Sequence, residues 1–424
     1  MSALEEFQWR GLVSETSEGL EEHLAQQQVT LYAGFDPTAA SLHIGNLVPL
    51  MGLARMQRLG HCPIALVGGG TGMIGDPSGK SQERKLLTAE TVAENIAGIR
   101  GQLERLLDFD SRVAPARLIN NADWLCTVSL VDFLRDIGKH FAVGTMLGKE
   151  SVKSRLDGPG ISFTEFSYLL LQSWDFQVLN QRHGCTLQIG GSDQWGNITA
   201  GIDLIRRMGG SRSHGLVMPL MTTSTGAKFG KTEAGAVWLD AARTSPYRFY
   251  QYWLNTTDED VVRYLETFTF LDRARIAALA QATREAPQER AAQKTLATEV
   301  TIMIHGEEAL SRAEASSSVL FGGGTMDALA AAEVLEIFDH VPSHSLAADS
   351  LAEGGMPLID LLVDAGLVTS RGAARRLVRE GGAYVNNRRR SQADARIVRH
   401  DFLDGRVLVL RKGQKSHHLV TLED

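Results

Sequence analysis

Cysteine is scarce. Only three occur in 424 residues, Cys62, Cys126 and Cys185, far apart and with no C-x-x-C pair. That spacing argues against a disulfide framework or a structural zinc site, and it fits a reducing compartment, so a cytoplasmic setting is expected. Neither a structural metal nor a tightly bound cofactor is expected. Long apolar runs are also missing, since nothing approaches the roughly 20 residues that a membrane-spanning helix needs. The opening stretch, MSALEEFQWRGLVSET, has neither the basic start nor the apolar run of a signal peptide, so none is expected. There is no internal repeat, and a net charge of −7 gives no sign of a polyanion partner.

The average charge hides an asymmetry. Residues 355–424 hold 13 Lys and Arg against 8 Asp and Glu, which leaves the rest of the chain at −12. A basic C-terminal unit on an acidic body points to a local site for a polyanion. The bulk composition, 43% hydrophobic and 22% charged, is that of a globular chain able to bury a sizeable core.

The first half alternates strand and helix patterns. Strands are expected at 29–35, 63–67, 116–120 and 186–189, and helices at about 45–59, 88–107, 130–140, 164–178 and 194–208. This alternation predicts βαβ units and a mostly parallel sheet, with ligands held outside the carboxyl ends of its strands. From about 244 to 314 the pattern is helical. Residues 315–354 read as a partly structured connection, and 355–424 return to mixed α/β.

Two loops carry charge or glycine where phosphate chemistry needs them. His43-Ile44-Gly45-Asn46 lies between a strand and a helix, where a helix N-terminus attracts anions and His43 and Asn46 can donate hydrogen bonds. Lys228-Phe229-Gly230-Lys231-Thr232 places two lysines around a glycine in a Gly-, Ser- and Thr-rich segment, suited to meeting charge that develops on a triphosphate. Taken singly, each is as well read as a capped helix start or a solvated basic loop.

Together they resemble the two signatures of class I aminoacyl-tRNA synthetases. Five segments are similar, in order, to the tyrosyl-tRNA synthetase family of bacterial type: 31–47 (LYAGFDPTAASLHIGNL), 64–80 (IALVGGGTGMIGDPSGK), 163–171 (FTEFSYLLL), 187–198 (LQIGGSDQWGNI) and 244–253 (TSPYRFYQYW). The sequence departs from the common signatures at Asn46, which replaces the second histidine of H-I-G-H, and in K-F-G-K-T, where the class has K-M-S-K-S. The resemblance implies ATP-dependent activation of tyrosine and its transfer to tRNA, with Mg²⁺ accompanying ATP. It also implies a fold in four parts: a Rossmann-like catalytic domain over 1–221 with an inserted dimer-interface segment, the lysine loop and a helical anticodon-side domain over 222–330, a connection over 331–354, and an S4-type RNA-binding domain over 355–424.

By the same resemblance, Tyr32 and Asp175 face the substrate phenol, and Tyr168, Gln172 and Asp76 face its ammonium, with Gln188 completing the wall. Tyr168, Gln172 and Asp175 are spaced i, i+4 and i+7, so one helix face carries all three. Such a polar face is odd for a core and natural for a pocket. ATP would meet Gly34, Asp36, Thr38, His43, Gly45, Gly191, Asp193, Gln194, Lys228 and Lys231, and His43, Asn46, Lys228, Lys231 and Thr232 would serve catalysis. Asp193 could instead cap the helix that follows it. Lys80 and Arg84 could assist on the pyrophosphate side.

On the RNA side, 357–387 resembles an S4-type domain. Arg371, Arg375 and Arg379 form an i, i+4, i+8 stripe on a helix capped by Ser370 or Thr369, and Arg388 follows a strand through Tyr384 and Val385. Such residues pair with backbone phosphate. Lys149, Lys153, Arg206 and Arg207 could meet the tRNA acceptor end. The family works as a homodimer, with 124–145 near the interface; the apolar Leu130, Val131, Phe133, Leu134, Phe141 and Val143 suit either an interface or a core. The alternatives are a tryptophanyl-type synthetase, which has no use for a phenol-reading pair, and a synthetase-derived RNA-binding protein.

Overall fold

Runs of β-branched and small apolar residues in the first half pair as the strands of one sheet. The computed structural model describes residues 2–78, 86–156, 160–224, 226, 229–232, 235–320, 326, 329–339, 341–351, 354–413 and 416–423. Among these, the sheet comprises β1 (Glu15–Thr16), β2 (Thr30–Phe35), β3 (Cys62–Val67), β4 (Arg117–Asn120), β5 (Cys185–Gly191) and β6 (His214–Met218), in the order β1-β6-β5-β2-β3-β4. All neighbours run parallel except β1, which pairs antiparallel with β6.

This order explains where a ligand can sit. The chain winds from β2 outward through β3 and β4, then returns to β5 on the other side of β2. Connections therefore diverge above the carboxyl ends of β2 and β5, and a crevice opens there. Register sets Tyr32 of β2 beside Gln188 of β5, so both side chains point the same way from adjacent strands. Helices cover the sheet. Tyr32, Ile64, Leu66, Trp124, Phe176, Leu179 and Ile205 share one buried cluster between sheet and helix.

The Phe163–His183 helix starts at Ser162, whose hydroxyl accepts the Glu165 N–H, and stops at Gly184 in the left-handed region. It runs longer than expected at its C-terminal end. β1 and β6 were not anticipated. β1 has only two residues, and His214–Met218 (HGLVM) is a fully buried strand without alternation, which is hard to separate from other short apolar runs.

The expected helical stretch contains Pro246–Leu254, Asp258–Phe268, Arg273–Glu285 and Ala291–His305. The chain then divides into two compact units, at Gly306/Glu307. The stretch expected as a connection, 331–354, is more structured than its composition implied. It contains the Ala331–Ile337 helix and the Ser343–Ala347 strand, which joins a five-stranded sheet parallel to Ser416–Glu423. Its polar sequence, SHSLA, conceals a strand because an edge position exposes one side. Within this unit Leu358, Leu361, Leu362, Ala374, Val378, Leu408 and Val420 form the core. Asn386 and Asn387, at φ 48 and 60, turn the hairpin between Ala383–Val385 and Arg388–Arg389.

Candidate active site

A cavity of about 480 Å³ opens at the carboxyl ends of β2 and β5. Every tyrosine-facing residue expected from the sequence lines it: Tyr32, Asp76, Tyr168, Gln172, Asp175 and Gln188. So do Gly34, Asp36, Thr38, His43, Gly45, Asn46, Gly191, Asp193 and Gln194. Lys228, with Lys80 and Arg84, lies outside the described residues. Lys231 and Thr232 are described as a short strand paired with Gly235–Ala236.

The deep end is organised around Asp175. This carboxylate is buried on its helix, and each oxygen accepts one hydrogen bond: Oδ1 from the Trp124 indole at 2.8 Å and Oδ2 from Asn121 Nδ2 at 2.9 Å. Burial pushes its pKa up to about 8. The bonds from Asn121 and Trp124 pull it down, and the Asp36 charge adds a smaller upward push. Tyr32 is 1% exposed and Gln188 3% exposed. Tyr32 Oη and Gln188 Oε1 have no hydrogen-bond partner among the described residues. Two buried polar atoms aimed at one cavity beside a carboxylate are costly to leave unpaired. They match a ligand group that both donates and accepts, as a phenol does.

The network continues toward the mouth. Asn121 also donates to Thr71 Oγ1 at 2.9 Å, Thr71 donates to Asp36 Oδ1 at 2.7 Å, and the Tyr168 hydroxyl donates to Asp36 Oδ2 at 2.9 Å. Burial, then the nearby Asp36 and Asp76 charges, raise the Tyr168 pKa well above its ordinary value, which keeps that hydroxyl protonated as a donor. Gly68 makes the Asp36–Thr71 contact feasible, because a Cβ there would lie 2.1 Å from Asp36 Oδ1. A second chain ties the other wall. Gln194 Nε2 donates to Asp76 Oδ2 at 2.7 Å, Gln172 Nε2 donates to Gln194 Oε1 at 3.1 Å, and Asn197 Nδ2 donates to Gln172 Oε1 at 2.9 Å.

Sequence reasoning missed Asn121, Trp124, Thr71 and Asn197. Asn121 follows the carboxyl end of β4, a position that fold topology marks as a site neighbour. Trp124, the first residue of the segment expected near an interface, is buried and holds Asp175. The remainder of that segment divides. Phe133 joins a buried cluster, while Leu130, Val131, Leu134 and Val143 are exposed.

The mouth joins the two signature loops. Asn46 Oδ1 accepts the His43 N–H at 3.0 Å, so the residue that departs from H-I-G-H fixes the turn. Ile44 N–H donates to Val237 O at 3.0 Å, Leu239 N–H donates to Leu42 O at 2.9 Å, and Val237 N–H donates to Gly230 O at 3.1 Å. The lysine-loop backbone is thereby hydrogen-bonded to the 237–239 segment that borders His43. Gly230 sits at φ 82, where a Cβ would meet Ile44 Cγ1 at 3.0 Å, which accounts for glycine in place of serine. The alternative role for Asp193 is not adopted. The following helix starts at Trp195 after Gln194, without a side-chain cap bond, and Asp193 lines the cavity.

Among the described lining residues there are four aspartates, Asp36, Asp76, Asp175 and Asp193, and neither lysine nor arginine. The pocket therefore favours an ammonium, while a triphosphate must draw its compensating charge from elsewhere.

In the C-terminal unit, Arg371, Arg375 and Arg379 are exposed along the Arg371–Arg379 helix, beside the stripe that buries Ala374 and Val378. The Ser370 hydroxyl caps this helix by accepting the Ala373 N–H at 3.2 Å. Arg371 is paired with Asp360 at 2.6 Å, and Arg388 is exposed.

Over residues 24–322 the chain matches the family described as tRNA synthetases class I (W and Y), and over 333–420 the tyrosine–tRNA ligase SYY-like C-terminal domain. It is 56% identical over 420 residues to the tyrosine–tRNA ligase of Roseiflexus castenholzii, covering 99% of each chain. It is 53% identical over 424 residues to that of Bacillus caldotenax, again at 99% of each. A solved structure of a C-terminally truncated mitochondrial tyrosyl-tRNA synthetase from Coccidioides posadasii aligns with a TM-score of 0.65 at 35% identity, over 74% of this chain and 91% of that one.

Proposed function

Because the chain belongs to the tyrosine–tRNA ligases of the class I tRNA synthetases, and so activates tyrosine with ATP and charges tRNA, we propose that the tyrosine phenol docks among Tyr32, Asp175 and Gln188. Likeness to tyrosine–tRNA ligases along the full chain does not favour the tryptophanyl alternative. The observation that carries the docking is the buried, unpartnered Tyr32 Oη beside an Asp175 side chain held by two donors. The phenol O–H donates to Asp175 and its oxygen accepts from Tyr32. The ammonium meets Tyr168, Gln172 and Asp76. Phenylalanine leaves the deep groups unpaired, so the pocket rejects it.

The tyrosine carboxylate then attacks the α-phosphorus of ATP in line, forming tyrosyl-adenylate and expelling pyrophosphate. The terminal adenosine hydroxyl of tRNA next attacks the mixed anhydride, and AMP leaves. Adenylation itself activates the carboxylate, so no protein nucleophile is needed. Asp193 accepts from the ribose, and Gly34, Asp36, Thr38, Gly45, Gly191 and Gln194 shape the nucleotide seat. His43, Lys228 and Lys231, assisted by Asn46 and Thr232, stabilise charge on the departing pyrophosphate. Mg²⁺ arrives on the ATP phosphates, as is usual for this ion.

Arg371, Arg375, Arg379 and Arg388 contact tRNA phosphates. Exposed Leu130, Val131, Leu134 and Val143 support a homodimer interface on the catalytic unit. Three free cysteines, one of them exposed, fit a cytoplasmic setting.

Asp175 gives this docking a measurable consequence. Its pKa lies near 8 before tyrosine arrives, and a phenol donor favours the carboxylate, so binding lowers the pKa and drives a proton off at lower pH. Calorimetric titration of tyrosine at pH 7, in buffers of different ionisation enthalpy, is expected to report release of about one proton per site. An enthalpy that does not vary with the buffer would mean that Asp175 is already ionised before tyrosine binds.

A further inference from the structure

Phe229 and Gly230, the two residues between Lys228 and Lys231, both line the substrate cavity, and aromatic residues that do not line it hold them in place. The Phe229 ring is buried. It stacks on Phe268 with ring centres 5.1 Å apart and planes 8° apart, and meets the edge of Tyr264 at 5.1 Å. Trp253 at 6.0 Å and Tyr252 at 6.2 Å complete the socket. These partners belong to the Pro246–Leu254 and Asp258–Phe268 helices. The Asp258–Phe268 helix also grips the chain just before the loop. Asp260 Oδ2 accepts from both the backbone N–H and the hydroxyl of Ser224, each at 3.0 Å.

One polar contact in this seat bears directly on the loop backbone. The Tyr252 hydroxyl oxygen accepts the Gly230 N–H at 3.3 Å. Gly230 O in turn accepts from Val237, whose carbonyl accepts from Ile44, so the position of Gly230 is tied to the His43–Gly45 turn. Tyr252 does not line the substrate cavity. Burial raises its pKa, so its hydroxyl stays a neutral acceptor across the working range.

We infer that Tyr252 is a positioning residue for the activation step: its hydroxyl fixes where the Phe229–Gly230 backbone sits against the His43 turn, and through the chain it sets the adjoining Lys231 backbone. The aromatic socket supplies the anchorage and the hydroxyl supplies the register. This rests on the reading in which Lys228 and Lys231 act on the departing pyrophosphate.

The test uses the full-length protein with Tyr252→Phe, which keeps the ring in its socket and deletes only the hydroxyl. Single-turnover formation of tyrosyl-adenylate is expected to slow about fivefold, the effect of one lost neutral hydrogen bond. Tyrosine Kd and Tm should stay at their parental values. In a Lys231→Ala background the same substitution should have a markedly smaller effect, because the group it positions is gone. An unchanged rate in Tyr252→Phe, a lowered Tm that accounts for the whole loss, or full additivity with Lys231→Ala would each overturn the inference. Activation undiminished by Lys231→Ala alone would overturn the reading beneath it, and the two failures are thereby distinguished.

Discussion

Lys231→Ala is expected to slow tyrosyl-adenylate formation by about two to three orders of magnitude, the usual consequence of removing one preorganised charge-stabilising group. Tyrosine affinity should change by less than about twofold, because uniform binding is untouched. The charge distribution of the cavity leads to this result. The described lining has four aspartates, of which Asp175 is held neutral by burial until tyrosine docks, and neither lysine nor arginine. ATP brings several negative charges to that mouth, and in-line displacement moves more onto the pyrophosphate. His43 lines the mouth, but a histidine alone is poorly matched to such an increase. The lysine loop, whose Phe229 and Gly230 line the cavity, is the assigned source of cations, and its Gly230 backbone is hydrogen-bonded to Val237, which in turn bonds Ile44 beside His43. Single-turnover kinetics with saturating ATP, alongside equilibrium tyrosine binding, separates the two effects. Parallel loss of rate and of tyrosine affinity would remove the transition-state role from Lys231.

Asp175→Asn is expected to act in the opposite way, on selection of the amino acid. Both carboxylate oxygens already accept from fixed donors, Trp124 and Asn121. An amide must turn its NH₂ toward one of those donors, leaving buried hydrogens opposed, and it weakens the acceptor offered to the phenol. kcat/KM for tyrosine should fall by roughly 10²–10³, or about 3–4 kcal/mol of lost transition-state stabilisation. KM for ATP should move little. Phenylalanine never used the contact, so its kcat/KM should fall much less and the tyrosine-to-phenylalanine ratio should collapse. Thermal unfolding of the variant checks that the fold is intact. A retained ratio would mean that Asp175 is not the phenol acceptor.

Much of this site could be read in the sequence, because its chemistry is carried by residues at regular spacing or at strand ends. Tyr168, Gln172 and Asp175 share a helix face by periodicity alone, and the cavity places all three on its wall. Asp36 and Gly191 lie where strands end, as the topology of a parallel sheet requires. What escaped depends on long-range approach. Trp124 and Asn121 reach Asp175 across more than 50 positions of sequence, and nothing local marks an indole as a carboxylate donor. Phe229 reads as part of a polar loop, yet its ring is buried among aromatics from two later helices. The same limit hid the His214–Met218 strand and the edge strand Ser343–Ala347. One is buried throughout and the other mostly polar, so neither sequence shows the two-residue apolar–polar alternation of a half-buried strand.

The central claim is that this cavity selects a phenol-bearing amino acid and joins it to the α-phosphate of ATP. The most direct measurement is exchange of labelled pyrophosphate into ATP by the wild-type protein, with each of the twenty amino acids supplied in turn. Exchange with tyrosine and near-background signal for the others, phenylalanine included, is the expected result. Exchange supported equally by tryptophan or phenylalanine would contradict the assignment of Tyr32 and Asp175 as phenol readers. Absence of exchange from a folded, tyrosine-binding preparation would contradict the activation chemistry itself.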